Sequence, residues 1–96
     1  MTQRANRMRQ TLEARFQPAL LESTDDSARH AGHAGASPGG ETHYSVHIVS
    51  AGFVGMSRVA RSRAVHEALA GEIASGLHAL ALRLQSPEEA LNLRRH

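Results

Sequence analysis

Hydrophobic periodicity changes twice along the second half of the chain, and that change restricts the fold more than any other feature. From Thr42 to Ser50, apolar Tyr44, Val46 and Ile48 alternate with His43, Ser45 and His47, the period-two pattern of a half-buried strand. From Ser57 to Ser75 the spacing turns helical: Val59, Val65, Leu69 and Ile73 are read within one apolar arc, after Ser57 as N-cap and before Gly76 as terminating glycine. Leu77 to Gln85 returns to period two, with His78, Leu80, Leu82 and Leu84 on one parity. Strand, helical region and strand in that order predict a right-handed parallel crossover. The helical region is long for so small a domain, which leaves room for a break inside it.

Elements on either side complete the pattern. A helix is predicted from Gln3 to Arg15, with Ala5, Met8 and Leu12 on one face and Arg4, Arg7 and Arg9 turned to solvent. Pro18 ends it, because the residue before a proline is pushed out of the helical region. Leu20 to Asp26 reads as a strand. Ser27 to Glu41 is small, polar and turn-rich, so it cannot bury a face and is expected to be a mobile loop; loops this long are commonly functional. Gly52 and Gly55 punctuate a turn around Phe53. The last helix carries a capping box: Ser86 as N-cap, Pro87 at the first helical position and Glu89 three residues after the cap. The resulting order, α-β-β-α-β-α, is an α+β fold: one domain over residues 1–96, a three-stranded sheet with helices on one face, and a short tail over 92–96.

Composition then decides which chemistries are open. The chain has no cysteine, so disulfides, thiolate zinc sites, thiol redox catalysis and a self-sufficient Cys-ligated iron–sulfur site are excluded. Seven histidines are the strong nitrogen ligands that remain. All 11 basic residues are arginines, but 9 carboxylates oppose them, so the net charge of +2 makes no strong field for general nucleic-acid binding. No stretch approaches the ~20 apolar residues of a membrane span. The first residues lack an apolar signal core, so a cytoplasmic protein is expected.

At the level of motifs the chain resembles the BolA family from Met8 to about Ala90. The matching pieces are Phe16-Gln17-Pro18, Asp26-Ser27, the His-Ala-Gly-His-Ala-Gly run from His30 to Gly35, Gly40-Glu41-Thr42-His43-Tyr44 and Ile48-Val49-Ser50. They continue with Phe53-Val54-Gly55, Arg61-Ser62-Arg63-Ala64-Val65, Gly76-Leu77-His78-Ala79-Leu80 and Pro87-Glu88-Glu89. The resemblance implies a BolA fold similar to type II KH domains. It also implies a heterodimer with a monothiol glutaredoxin, bridged by a [2Fe-2S] cluster that the protein does not bind alone. The glutaredoxin cysteine and a glutathione would supply thiolates, and this chain a helix-end histidine and a loop residue. Carried over, these are His78 and His30, with His33 as the alternative to His30. Phe53, Gly55, Arg58, Arg61, Arg63 and His43 would form the partner or nucleic-acid surface. Ser62 departs from the family's Arg-His-Arg signature; on a continuous helix it falls near the centre of the apolar arc, where it would alter packing rather than ligation.

Other readings compete residue by residue. Two histidines three apart, as at 30 and 33, are a weak metal signal alone, and His78 among leucines is an ordinary half-buried histidine until the resemblance is considered. His43 and His47 are too far apart in an extended chain for a compact pair. His66 reads as structural and His96 as terminal. DNA is the alternative partner, through a helix-turn-helix-like region at 57–75. Against it, Arg61 and Arg63 project about 160° apart on a helix and form no single ridge. No nucleophile or acid–base constellation marks an enzyme.

Overall fold

The computed structural model describes residues 3–26 and 42–94. The elements are α1 (Gln3–Phe16), β1 (Leu20–Asp25), β2 (His43–Val49), a 3₁₀ turn (Ala51–Phe53), α2 (Arg58–Ala68), α3 (Ala70–Ala74), β3 (Ala79–Gln85) and α4 (Pro87–Arg94). The sheet order is β1-β2-β3, with β1 antiparallel and β3 parallel to β2. The predicted element order is therefore observed, as is parallel pairing across the crossover. The segment 27–41, with His30 and His33, lies outside the described residues, as do 95 and 96.

The central strand explains the core. Tyr44, Val46 and Ile48 are buried on one face of β2, beside Leu80, Leu82 and Leu84 of β3, which pack against the same cluster. Onto that face fold Ala5, Met8 and Leu12 of α1, Phe53 of the turn, Val65 of α2, and Leu69 and Leu77. Spacings of three and four residues put the α1 trio on one stripe. The Phe16 and Phe53 rings meet at 5.1 Å between centroids with a 40° tilt, within the range favoured by aromatic pairs. Ser50, fully buried, joins these layers: its hydroxyl donates to Phe16 O at 2.6 Å and accepts from Gly52 N–H at 3.0 Å.

Both predicted caps form. Ser57 Oγ accepts from Ala60 N–H at 3.1 Å. Ser86 Oγ accepts from Glu89 N–H at 3.3 Å, and Glu89 Oε1 accepts from Ser86 N–H at 2.8 Å, the reciprocal bonds of a capping box. The long helical region does break, at Leu69, whose φ/ψ of −101°/14° ends α2 and begins α3.

The buried face of that region differs from the expected arc. Val59 and Ile73 are exposed, and the inward stripe is Arg61, Val65 and Leu69 at i+4 spacing. Val59 precedes Val65 by six residues, which at about 100° per residue puts the two side chains about 120° apart. Ser62 consequently sits half-buried on the flank of the stripe rather than at its centre. Arg4 is the second correction. Instead of facing solvent with Arg9, it is buried against α3, and Arg7 joins it there while staying half-exposed.

Candidate functional site

The turn after α3 sets the position of His78. Gly76 has φ of 128°, a conformation that side chains other than hydrogen rarely adopt, and it redirects the chain into buried Leu77 and then β3. A charged clamp from α1 holds this turn. Arg4 Nη2 donates to Ser75 O at 3.0 Å and Ser75 Oγ at 3.1 Å, while Arg4 Nε donates to Glu72 Oε1 at 3.1 Å. Arg7 grips the same carboxylate through both oxygens, at 2.8 and 2.9 Å. Hydrogen bonding from Arg7 is the main reason that the Glu72 carboxyl titrates below its usual 4.5; partial burial opposes this and Arg4 reinforces it.

His78 emerges from the turn with its side chain exposed. Its N–H donates to Thr42 O at 2.7 Å, an oxygen that also accepts from Ala79 N–H at 3.0 Å. Thr42 is where the chain returns from residues 27–41, and Asp26 is where it departs. Asp26 N–H donates to His43 O at 2.7 Å, and the Asp26 carboxylate accepts from the Ser45 hydroxyl. The returning end of the segment that contains His30 and His33 is thus bonded to His78, while its departing end is pinned to β2 from the opposite side, next to β1. The His43 ring lies 5.5 Å from the His78 ring, tilted by 53°, with Nδ1 2.9 Å from Thr42 Oγ1.

This arrangement offers one accessible imidazole backed by a buried one. A neutral imidazole is a good ligand for iron or another borderline metal. Among the described residues no three His, Cys, Asp or Glu side chains converge on one point. A metal held at His78 would need further donors from outside the described residues. With no cysteine in the chain, an iron–sulfur cluster at this histidine would need thiolates from elsewhere.

The remaining site residues separate by burial. Phe53 has no solvent exposure and His43 is 8% exposed, so neither presents its side chain to a partner; each fills space behind the surface. Arg61, 6% exposed, is withdrawn as well: its guanidinium bonds Leu84 O and both oxygens of Glu89. Gly55 (φ 80°) lies exposed in the turn before α2, and Arg58 and Arg63 are exposed on α2. His47 belongs to the open sheet face, with Nε2 2.7 Å from Gln85 Oε1 and Nδ1 3.5 Å from Glu22. His66 is exposed at the far side of α2, where Nδ1 lies 2.8 Å from Ser62 O. Sequence reasoning missed the Arg4–Glu72–Ser75 clamp. Its partners are about 70 residues apart, and no local spacing links them.

Residues 12–89 match the family model described as BolA-like protein. The chloroplastic protein BOLA1 of Arabidopsis thaliana is 45% identical over 89 residues, covering 91% of this chain and 56% of that protein. SufE-like protein 1 of the same plant, named as chloroplastic/mitochondrial, is 43% identical over 90 residues; the match covers 90% of this chain but 24% of the larger protein. This chain thus spans about half or less of these two relatives. The DNA-binding transcriptional regulator BolA of Escherichia coli (strain K12) is 39% identical over 83 residues, with 86% and 75% of the two chains covered. Among solved structures, the BolA domain of SufE1 from Arabidopsis thaliana superimposes with a TM-score of 0.84 at 42% identity, covering 93% of this chain and 98% of that domain. These relatives are named as BolA-like, regulator or SufE-like proteins. With its α+β architecture, mixed three-stranded sheet and family match over most of its length, the chain belongs to the BolA-like protein family.

Proposed function

We propose that this chain is an accessory protein that binds a monothiol glutaredoxin and co-ligates a bridging [2Fe-2S] cluster, in cluster trafficking or iron sensing. His78 and one of His30 or His33 would hold one iron, while the glutaredoxin cysteine and glutathione supply sulfur. The observation that carries this reading is the position of His78: exposed, following a turn held by Arg4, and bonded to Thr42, where the chain returns from the histidine-bearing segment. The absence of cysteine leaves histidine as the strong nitrogen donor on this side, with no thiolate to compete. Replacing thiolates by imidazoles on one iron raises a cluster's potential and makes ligation sensitive to pH. We place the activity in the cytoplasm; no helix among the described residues is long and apolar enough to cross a membrane.

The test is to mix the protein with a cluster-loaded monothiol glutaredoxin and record absorbance and circular dichroism. A spectrum distinct from that of the glutaredoxin alone is expected, and His78→Ala should abolish the difference. Separate His30→Ala and His33→Ala variants assign the loop ligand. An unchanged spectrum in His78→Ala would overturn the assignment.

A second reading, a DNA-binding regulator acting through residues 57–75, is favoured by the name of the Escherichia coli relative. It must work with a five-residue α3, a withdrawn Arg61, and exposed Arg58 and Arg63. It requires sequence-specific duplex binding that survives about 150 mM salt and is lost on changing Arg63.

A further inference from the structure

At the opposite end of β3 from His78, a cavity of about 640 Å³ opens between α2 and α4. Its floor is the free edge of the sheet, since β3 is an outermost strand. Two bonds set the phase of the backbone there: Ala79 N–H donates to Thr42 O, and Gln85 O accepts from Ser50 N–H. Residues 79, 81, 83 and 85 therefore turn their peptide groups toward β2, and Leu80, Leu82 and Leu84 turn theirs outward. The outward carbonyl of Leu84 is taken by Arg61 Nη1 at 3.2 Å, which agrees with that phase. The N–H and C=O of Leu82 and the N–H of Leu84 remain along the floor, and no strand beyond β3 takes them among the described residues.

The walls are basic. Arg58 of α2 and Arg83 of β3 line the cavity, are exposed, and make no ion pair among the described residues. Arg61 lies deeper, held by Glu89, with its buried Nε lacking a hydrogen-bond partner. Three guanidinium groups against one carboxylate leave a surplus of two positive charges around a strand edge.

We propose that this groove receives an extended acidic segment of a partner protein, which adds to β3 as a fourth strand and sets its carboxylates against Arg58 and Arg83. A peptide backbone supplies alternating donors and acceptors, and so satisfies both the N–H and the C=O groups of the edge. A DNA backbone offers acceptors alone and would leave the Leu82 carbonyl unpaired, and an RNA backbone adds only its 2′-hydroxyl donors, without the alternation of a peptide. No aromatic ring lines the cavity to stack a base; Phe53 is wholly buried. A second copy of this chain pairing edge to edge would bring like charges at Arg83 together. The site shares no residue with the proposed cluster ligands, so each stands or falls alone.

The probe is a short fluorescent peptide in which Glu-Glu pairs alternate with Val-Val pairs, so that carboxylates reach both faces of the added strand; it is titrated with the full chain and followed by anisotropy. Saturable binding is expected, with Arg58→Glu and Arg83→Glu each weakening it by about tenfold or more. Both side chains are exposed, and far-ultraviolet circular dichroism verifies that the variants fold. N-methylation of the peptide at alternate residues should abolish binding in one parity and spare it in the other, and amide resonances of Leu82 and Leu84 should shift. The proposal is overturned by no saturable binding up to ~1 mM, by equal binding of a Lys/Val peptide, or by indifference to methylation parity. Tighter binding of a single-stranded oligonucleotide through the same arginines would also overturn it, as would self-association abolished by Arg83→Glu.

Discussion

Arg61 and Glu89 form a two-pronged ion pair between α2 and α4. Nη1 meets Oε1 at 2.6 Å and Nη2 meets Oε2 at 3.2 Å. Glu89 Oε1 also accepts from Ser86 N–H, so one carboxylate caps α4 and ties it to α2. The Arg61 guanidinium carbon stands 5.8 Å from the centre of the Phe53 ring, which links the pair to the core. Arg61 and Phe53, which the family resemblance implies for a partner surface, are buried here, while the Glu89 carboxylate stays about half exposed.

The joint gives the fold an acid limit. Hydrogen bonding from Arg61, and then from the Ser86 N–H, lowers the Glu89 carboxyl from 4.5 to about 2. A carboxyl depressed in the folded state contributes stability that is complete above its unfolded pKa and lost as pH falls toward the folded value. The melting temperature should therefore drop between pH 4.5 and about 2. Glu89→Gln should melt lower at neutral pH and show a shallower drop in that window, measured by circular dichroism. A parallel pH dependence in the two proteins would remove Glu89 from the acid response.

Arg4 and Arg9 lie on the same helix and should behave oppositely. Arg4→Ala leaves Glu72 and Ser75 short of partners and is expected to destabilise by about 2–3 kcal/mol. Arg9, exposed on the far side, should stay within about 0.5 kcal/mol on replacement by alanine. Urea denaturation of both variants measures the difference, and equal midpoints would show the clamp to be inert.

On the helical region, Leu69→Ala should lose about 2–5 kcal/mol, since it empties a fully packed position. Val59→Ala, at 60% exposure, should change stability by no more than about 0.5 kcal/mol. Thermal melts of the pair distinguish the observed inward stripe from the arc read off the sequence. A Val59 variant as damaging as the Leu69 one would restore the arc.

Ser50→Ala removes the donor to Phe16 O and the acceptor of Gly52 N–H in a site with no solvent exposure. Leaving buried polar groups unpaired should destabilise by about 1–3 kcal/mol per group. Because the lost bonds tie the end of α1 to the turn around Phe53, hydrogen exchange at Gly52 should accelerate more than at β2 amides. Uniform acceleration would mean global destabilisation alone.

Much of the fold was legible because strands and caps are local. The period-two alternation of β2 places Tyr44, Val46 and Ile48 inward whatever lies around them, and Ser86 with Glu89 closes a cap within four residues. His78 could be singled out through the motif that carries it. Its exposure could not, because that depends on where the Gly76 turn is held. The pairing of His43 with His78 was equally hidden: the two residues are 35 positions apart and meet only through the parallel ladder at Thr42.

Two arginines mark the boundary between what is local and what is not. By itself, the sequence determined the order of elements, the inward parity of β2 and β3, the caps and the exclusion of thiolate chemistry, all of which follow from spacing and residue type. It could not determine that Arg4 and Arg61 are buried. Guanidinium groups face water by default, and burying one is favourable only when carboxylates or carbonyls from distant parts of the chain converge on it. Glu72 and Ser75 do this for Arg4; Glu89 and Leu84 O do it for Arg61. Tertiary structure alone decides such convergence, and with it which basic residues remain free to meet a partner.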